Sequence, residues 1–312
     1  MALLNILTNV RYWIVLGVVL AFLIGSWGPS TSILVIIILM IQMTLSMDGL
    51  SLRKSDLIEN KKPIVWSVVS SMVICSASAL AVGAFFITAY PDIWKGWVML
   101  ASVPAAVSVI TVALYMKGNM VMTVLSTTVI YLIALLFTPL LTYVFIGNAI
   151  SPLEIFKYVL LFIAVPILAT IPLKKVKINR NVKLIVINAM MFLLILLSVG
   201  FNKNYIFGEP MVVLYVVIAS FVRIFIVSFV MVHLLKKIGC SRNNGVIYVA
   251  FAVWKNSGLA TTLCLVLLTD AAEAVIPCVI SLLIETLWFA VMASYINRLW
   301  SEEEPLAIGI NG

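Results

Sequence analysis

The chain has 312 residues, of which 64% are hydrophobic and only 10% charged, with a mean hydropathy of +1.21. So much apolar surface exceeds what one soluble core could hide, which excludes an ordinary globular domain and indicates an all-α polytopic membrane protein embedded in the lipid bilayer. The net charge of +8 does not imply a nucleic-acid partner, because the lysines and arginines cluster in short segments between apolar spans.

Taking about 20 apolar residues as one crossing, the sequence predicts ten transmembrane helices, at about 12–27, 31–47, 64–88, 95–115, 119–146, 155–174, 183–200, 210–235, 244–268 and 272–296. The first apolar segment leads straight into this array, so no cleaved signal is expected. All but five of the 20 Lys and Arg residues fall on the face that bears the N-terminus. Lys95, Lys157 and Lys203 lie on the opposite face, and Arg223 and Lys255 lie inside spans. The bias places both termini in the cytoplasm of a plasma-membrane protein. Trp13, Trp66 and Trp300 on one side, with Trp27, Trp94 and Trp97 on the other, fall where an aromatic belt is expected. Cys75, Cys240, Cys264 and Cys278 show no CxxC or metal-ligand spacing and read as small packed hydrophobes, so neither a metal nor another cofactor is expected.

The most informative stretch is Val249-Ala-Phe-Ala-Val-Trp-Lys-Asn-Ser-Gly258, followed by Leu259 to Leu263, inside the ninth span. It sets the ammonium of Lys255, the amide of Asn256, the hydroxyl of Ser257 and the helix-loosening Gly258 side by side at a depth where polar groups are costly and mark function. Five spans repeated must re-enter the membrane from the opposite side, which generates inverted repeats, about 1–150 and 151–300 within a single domain over 1–312. The fourth span then corresponds to the ninth. It too is interrupted, at Ser102-Val-Pro-Ala-Ala106, where Pro104 removes a backbone donor and clashes with the preceding turn. Paired broken helices expose backbone groups and half-helix ends to a substrate, so Pro104, Ala105 and Ala106 join Lys255, Asn256, Ser257 and Gly258 as candidate binding or coupling residues.

Four stretches carry a resemblance to the bile acid:sodium symporter family. They are Met40-Ile-Gln-Met-Thr-Leu-Ser-Met47, Val103-Pro-Ala-Ala running through Lys117-Gly-Asn119, Thr138-Pro139, and Asn256-Ser-Gly-Leu-Ala260. The resemblance implies ten spans in two inverted five-helix repeats. A panel of spans 1, 2, 6 and 7 would work against a core of spans 3–5 and 8–10, discontinuous spans 4 and 9 would cross where they unwind, and organic anions would bind between panel and core. Auxin-efflux-type carriers look similar in architecture, but they carry the two break motifs in the opposite order.

The departures from that family are specific. Its sodium-binding Ser-Asn pair falls on Val109 and Ile110, its sodium-ligating Glu on Phe251 and its Gln on Lys255. A hard cation needs several oxygen ligands. Of the matched ligands only the hydroxyls of Thr123 and Thr127 remain, spaced i, i+4 on one helix face. The expectation is that the Lys255 ammonium, beside Thr123 and Thr127, stands in place of the coupling cation, and that it could release and rebind a proton during a transport cycle. The alternatives are that Lys255 snorkels to an aqueous cavity or forms a static pair. Arg223 and Glu285 lie at similar depth as possible charge partners, and one acid with two bases leaves a surplus positive charge that suits an anionic substrate.

Asn188, Ser198, Thr44 and Ser46 either face a substrate cavity or bond between helices. Asp48, Arg53, Lys54 and Glu302 to Glu304 read as solvated ends, His233 as interfacial, and Met40, Met43 and Met47 as a packing stripe. No HExxH pair, paired aspartates or intramembrane general base suggests an enzyme. The sequence thus points to a carrier of a small organic anion, monomeric or homodimeric and independent of sodium. A sodium-coupled symporter with an altered ion site and a non-transporting receptor on the same scaffold are the alternatives.

Overall fold

A computed structural model describes residues 2–24, 32–47, 54–147, 150–173, 176 and 178–301. Trp27, Asp48, Arg53, Lys174, Lys175, Lys177 and Glu302 to Glu304 lie outside the described residues. Among those described, every regular element is a helix. Helices α1 (Ala2–Thr8), α2 (Val10–Ile24), α3 (Ser32–Met47) and α4 (Lys54–Glu59) come first. The third span is one continuous helix from Lys61 to Phe86, in which α5 (Lys61–Val68) passes through a π-helical turn at Val69–Cys75 into α6 (Ser76–Gly83). Then follow α7 (Pro91–Ser102), α8 (Val109–Tyr115), α9 (Met120–Ile146), α10 (Pro152–Leu173), α11 (Arg180–Phe201), α12 (Lys203–Gly208), α13 (Pro210–Lys237), α14 (Arg242–Val253), α15 (Ser257–Leu267) and α16 (Val275–Ser301).

Seven helical segments among the described residues are long and apolar enough to cross a membrane. They begin at Lys61, Met120, Pro152, Asn181, Pro210, Arg242 and Ala272. The expected first and second spans are shorter apolar helices, Tyr12–Ile24 and Ile33–Met47. The expected fourth span is split into α7 and α8 by a non-helical segment.

Local chemistry explains where the helices begin and end. The N-cap Asn119 side chain accepts the Met122 N–H at 3.1 Å and starts α9. Pro210 opens α13, where a missing N–H costs nothing, and Lys236 and Lys237 lie at its negative end. Helix α7 stops because Val103 precedes Pro104 and is forced into extended backbone (φ −72°, ψ 157°). The ninth span breaks for a different reason. Trp254 is extended (φ −104°, ψ 113°), and the Asn256 side chain accepts the Leu259 N–H at 3.0 Å, capping a new helix. The expectation that Gly258 loosens this span is therefore corrected: Gly258 sits inside α15 with ordinary helical backbone, and Asn256 makes the break.

Helix α2 packs on α11, and α3 packs on both α10 and α11. Helix α13 packs on α14 and α16, α7 on α6, α9 and α16, and α15 on α16, α7 and α3. The halves of the broken spans pair by side, α8 with α14 and α7 with α15. The α8–α14 side is tied by the Asn119 N–H on Asn243 O at 3.0 Å and by Arg242 Nη2 on Met116 O at 3.0 Å.

Two tryptophans depart from the expected belt. Trp97 is fully buried against Gly83, and Trp300 is 3% exposed and packed over Gly245, so both fill helix interfaces instead of anchoring in headgroups. Trp66, half exposed, keeps an interfacial setting. The backbones approach closely at Gly96, where a Cβ would lie 2.1 Å from the carbonyl oxygen of Ala274. Gly96→Ala should lower stability by about 1–3 kcal/mol or more, because backbone cannot move aside as a side chain can. Thermal melting of the purified protein checks this, with Gly258→Ala, whose added methyl would meet its neighbours at 3.6 Å or beyond, expected to melt near wild type.

Candidate functional site

The two breaks meet. The Asn256 N–H donates to the carbonyl oxygen of Pro104 at 2.8 Å, so the unwound backbone of one span satisfies the other. Around this crossing the bundle buries three chargeable side chains: Arg223 is 2% exposed, while Lys255 and Glu285 are fully buried. Each lies at a half-helix end of complementary sign. The Lys255 ammonium donates to Val103 O at 2.8 Å, just past the carbonyl end of α7. Arg223 Nη1 donates to Val253 O, the last carbonyl of α14, at 3.3 Å. Glu285 accepts the Lys255 N–H at 3.2 Å and the Ser257 hydroxyl at 3.3 Å, where α15 begins. Orphan carbonyls at the C-terminal ends attract cations and orphan N–H groups at an N-terminal end attract an anion.

The pairing of charges is selective. Arg223 Nη2 and Glu285 Oε1 form an ion pair at 3.3 Å, with both side chains fully buried. The Lys255 ammonium has neutral partners: Val103 O and, at 2.9 Å, the Ser76 hydroxyl. That hydroxyl spends its own proton on Ala101 O at 2.7 Å and so presents a lone pair to Lys255. Lys255 therefore stitches the ninth-span break to the fourth-span break and to the third span. Of the readings open from sequence, the static ion pair falls to Arg223 and Glu285, and Lys255 is not part of it.

Thr123 and Thr127 are buried, but their hydroxyls donate to Asn119 O and Thr123 O of their own helix, at 2.7 and 2.8 Å. The partners of the Lys255 ammonium come from α6 and the α7 break instead. Among the other expected residues, Ala105 is buried and Ala106 partly so beside Pro104. Val109 and Phe251 are fully buried hydrocarbon, and Ile110 is half-buried. Gly258 faces the seam with α3 and α11, where Leu39 and Leu194 are its neighbours. Asn188 donates to Leu7 O at 3.1 Å and so joins two helices, whereas Thr44 donates to Met40 O at 2.8 Å within its own helix.

Three residues at the site were not expected there from sequence, Cys75 having been read as a packed hydrophobe. Ser76 holds Lys255, Cys75 Sγ accepts from Arg223 Nη1 at 3.5 Å, and the Tyr131 hydroxyl accepts the Asn256 amide at 2.8 Å. Cys75 ends the π-helical turn of the third span and Ser76 follows it, a distortion frequent at functional sites. The cluster Ser70, Ser71, Ser76 and Ser78 in an apolar span was a usable signal, as was Tyr131 lying four residues beyond Thr127 on the same helix face.

Membrane-length helices, with two broken helices joined to each other, are features found in membrane transporters. Comparison with known families identifies which kind. The Sodium Bile acid symporter family matches residues 33–209, more than half of the chain, and the protein belongs to that family. Members of that family are transporters and not enzymes. No curated protein matches the chain. The matched segment includes the first break and ends before α13, so Arg223, Lys255 and Glu285 lie beyond it.

Glu285→Gln should destabilise the protein by about 3–5 kcal/mol, since it strands the Arg223 charge in the interior. The double replacement Arg223→Gln with Glu285→Gln should regain part of that loss. Melting temperatures of the three purified proteins check the order.

Proposed function

We propose that the protein is a secondary carrier that moves a small organic anion across the cell membrane by alternating access, with the Lys255 ammonium in the place of a coupling sodium ion. The observation that carries this reading is the seat of that ammonium at the joined breaks, held by Val103 O and the Ser76 hydroxyl. A carbonyl and a hydroxyl at the negative end of a half-helix are cation ligands, and here a tethered cation uses them.

Several features support the wider reading. The chain makes ten crossings in two inverted five-helix repeats, with α7/α8 and α14/α15 as the corresponding fourth members. Helices α2, α3, α10 and α11 form the panel, consistent with α2 packing on α11 and α3 on α10 and α11. The remaining spans form the core. Substrate lies where Asn256 and Gly258 approach α3 and α11, close to Met43, Leu39 and Leu194. The core holds two bases and one acid, which favours an anion. Buried Val109 and Phe251, with half-buried Ile110, supply hydrocarbon where oxygen ligands would be needed. Both termini face the cytoplasm, in keeping with the Lys and Arg bias of the connections.

Uptake of radiolabelled monocarboxylates into proteoliposomes tests the reading. Equal initial rates are expected with an inward sodium gradient and with choline in its place. Sodium-dependent uptake contradicts the substitution, and saturable binding without uptake or counterflow indicates a receptor.

A further inference from the structure

The charge arithmetic of the crossing points to a property of the transport cycle. Two buried bases and one buried acid leave one positive charge, whichever base the carboxylate favours. No other acid reaches this depth among those whose side chains are described: Glu59, Asp92, Glu154, Glu209, Asp270 and Glu273 all sit at helix ends or in connections. The partners of Lys255 supply dipoles and no net charge. A charge in such a setting is costly on its own and is relieved by one counter-charge brought near.

We infer that the preferred substrate carries a single negative charge, so that the loaded carrier crosses as an electrically neutral complex while the empty carrier crosses bearing the charge of Lys255. This rests on the carrier reading above. A neutral molecule leaves the positive charge uncompensated, and a dianion leaves a negative one. Net transport requires the empty carrier to return. Whichever element moves, access to the crossing then shifts from one aqueous face to the other, and the Lys255 charge changes its place in the membrane field. One charge across the whole of a potential of about 100 mV biases the two empty orientations by about 50-fold. Exchange of substrate for substrate skips the empty return and escapes that bias.

The test has two arms. In the first, purified full-length protein is melted with cyclohexanecarboxylate, trans-1,4-cyclohexanedicarboxylate and cyclohexanecarboxamide, ligands of matched shape with one, two and no negative charges. The monoanion is expected to stabilise at concentrations about 10-fold or more below the other two. Lys255→Gln, checked for folding by size exclusion, should lose that preference for the acid over the amide. In the second arm, wild-type proteoliposomes are clamped with potassium and valinomycin at zero and at about 100 mV, with labelled cyclohexanecarboxylate as probe. Net flux should change about 5-fold or more and homoexchange less than about 2-fold. Equal voltage responses of the two modes, or a preference for the dianion or the amide, overturn the charge inference alone. Stabilisation by none of the three, with no flux, overturns the organic-anion carrier reading itself.

Discussion

The hydrogen bond from the Lys255 ammonium to the Val103 carbonyl is the interaction on which the site depends. It exists because Pro104 cannot continue α7: the residue before a proline turns extended, and the carbonyl it frees needs a donor. Val103 and Lys255 are both fully buried, so the donor comes from protein. Lys255 supplies it from the opposite break, and the Asn256 N–H does the same for Pro104 O. Two interruptions that would each be unfavourable alone thereby satisfy each other. The ammonium also reaches Ser76, so the third span is fixed relative to both breaks.

The Arg223–Glu285 pair is a different device. Buried ion pairs are seldom more stabilising than a hydrocarbon core of the same volume, and their better-attested use is to specify an arrangement. Here each partner also terminates a half-helix, Arg223 at the Val253 carbonyl and Glu285 at the first residues of α15. The pair therefore holds together the two sides of the break that Asn256 makes. Lys255, with neutral partners only, keeps a charge available for another role. That separation divides the three buried charges into an ion pair and a cation with neutral partners, the one to which a role in transport is proposed.

Much of this was legible in the sequence. The helical class followed from composition, the break at Pro104 from the chemistry of proline, and the isolated cation from Lys255 lying in an apolar span. The break in the ninth span was placed correctly but credited to the wrong residue, because Gly258 is a familiar helix breaker while the capping role of Asn256 depends on its side-chain rotamer. The partner of Lys255 was also not readable. Thr123 and Thr127 share the right face of a helix, but threonine hydroxyls on a helix find their own backbone first. Ser76 could be located only once the π-helical turn at Val69–Cys75 had set the rotation of the third span. Trp97 and Trp300 were misplaced because a tryptophan near a span end reads as an interfacial anchor whether or not a glycine on a neighbouring helix makes room for it.

Family membership and the charge of the site together frame the mechanism. The scaffold belongs to sodium-coupled carriers, yet the position facing the opened carbonyl carries its own cation on a tether. In the proposed cycle such a charge stays with the protein, so the energetics of the empty carrier differ from those of one that releases an ion. The most direct measurement is the melting temperature of the purified wild-type protein titrated with sodium chloride against choline chloride at constant ionic strength. With Lys255 filling the cation's place the two salts should give the same midpoint throughout, whereas a saturable rise in melting temperature specific to sodium would contradict the account.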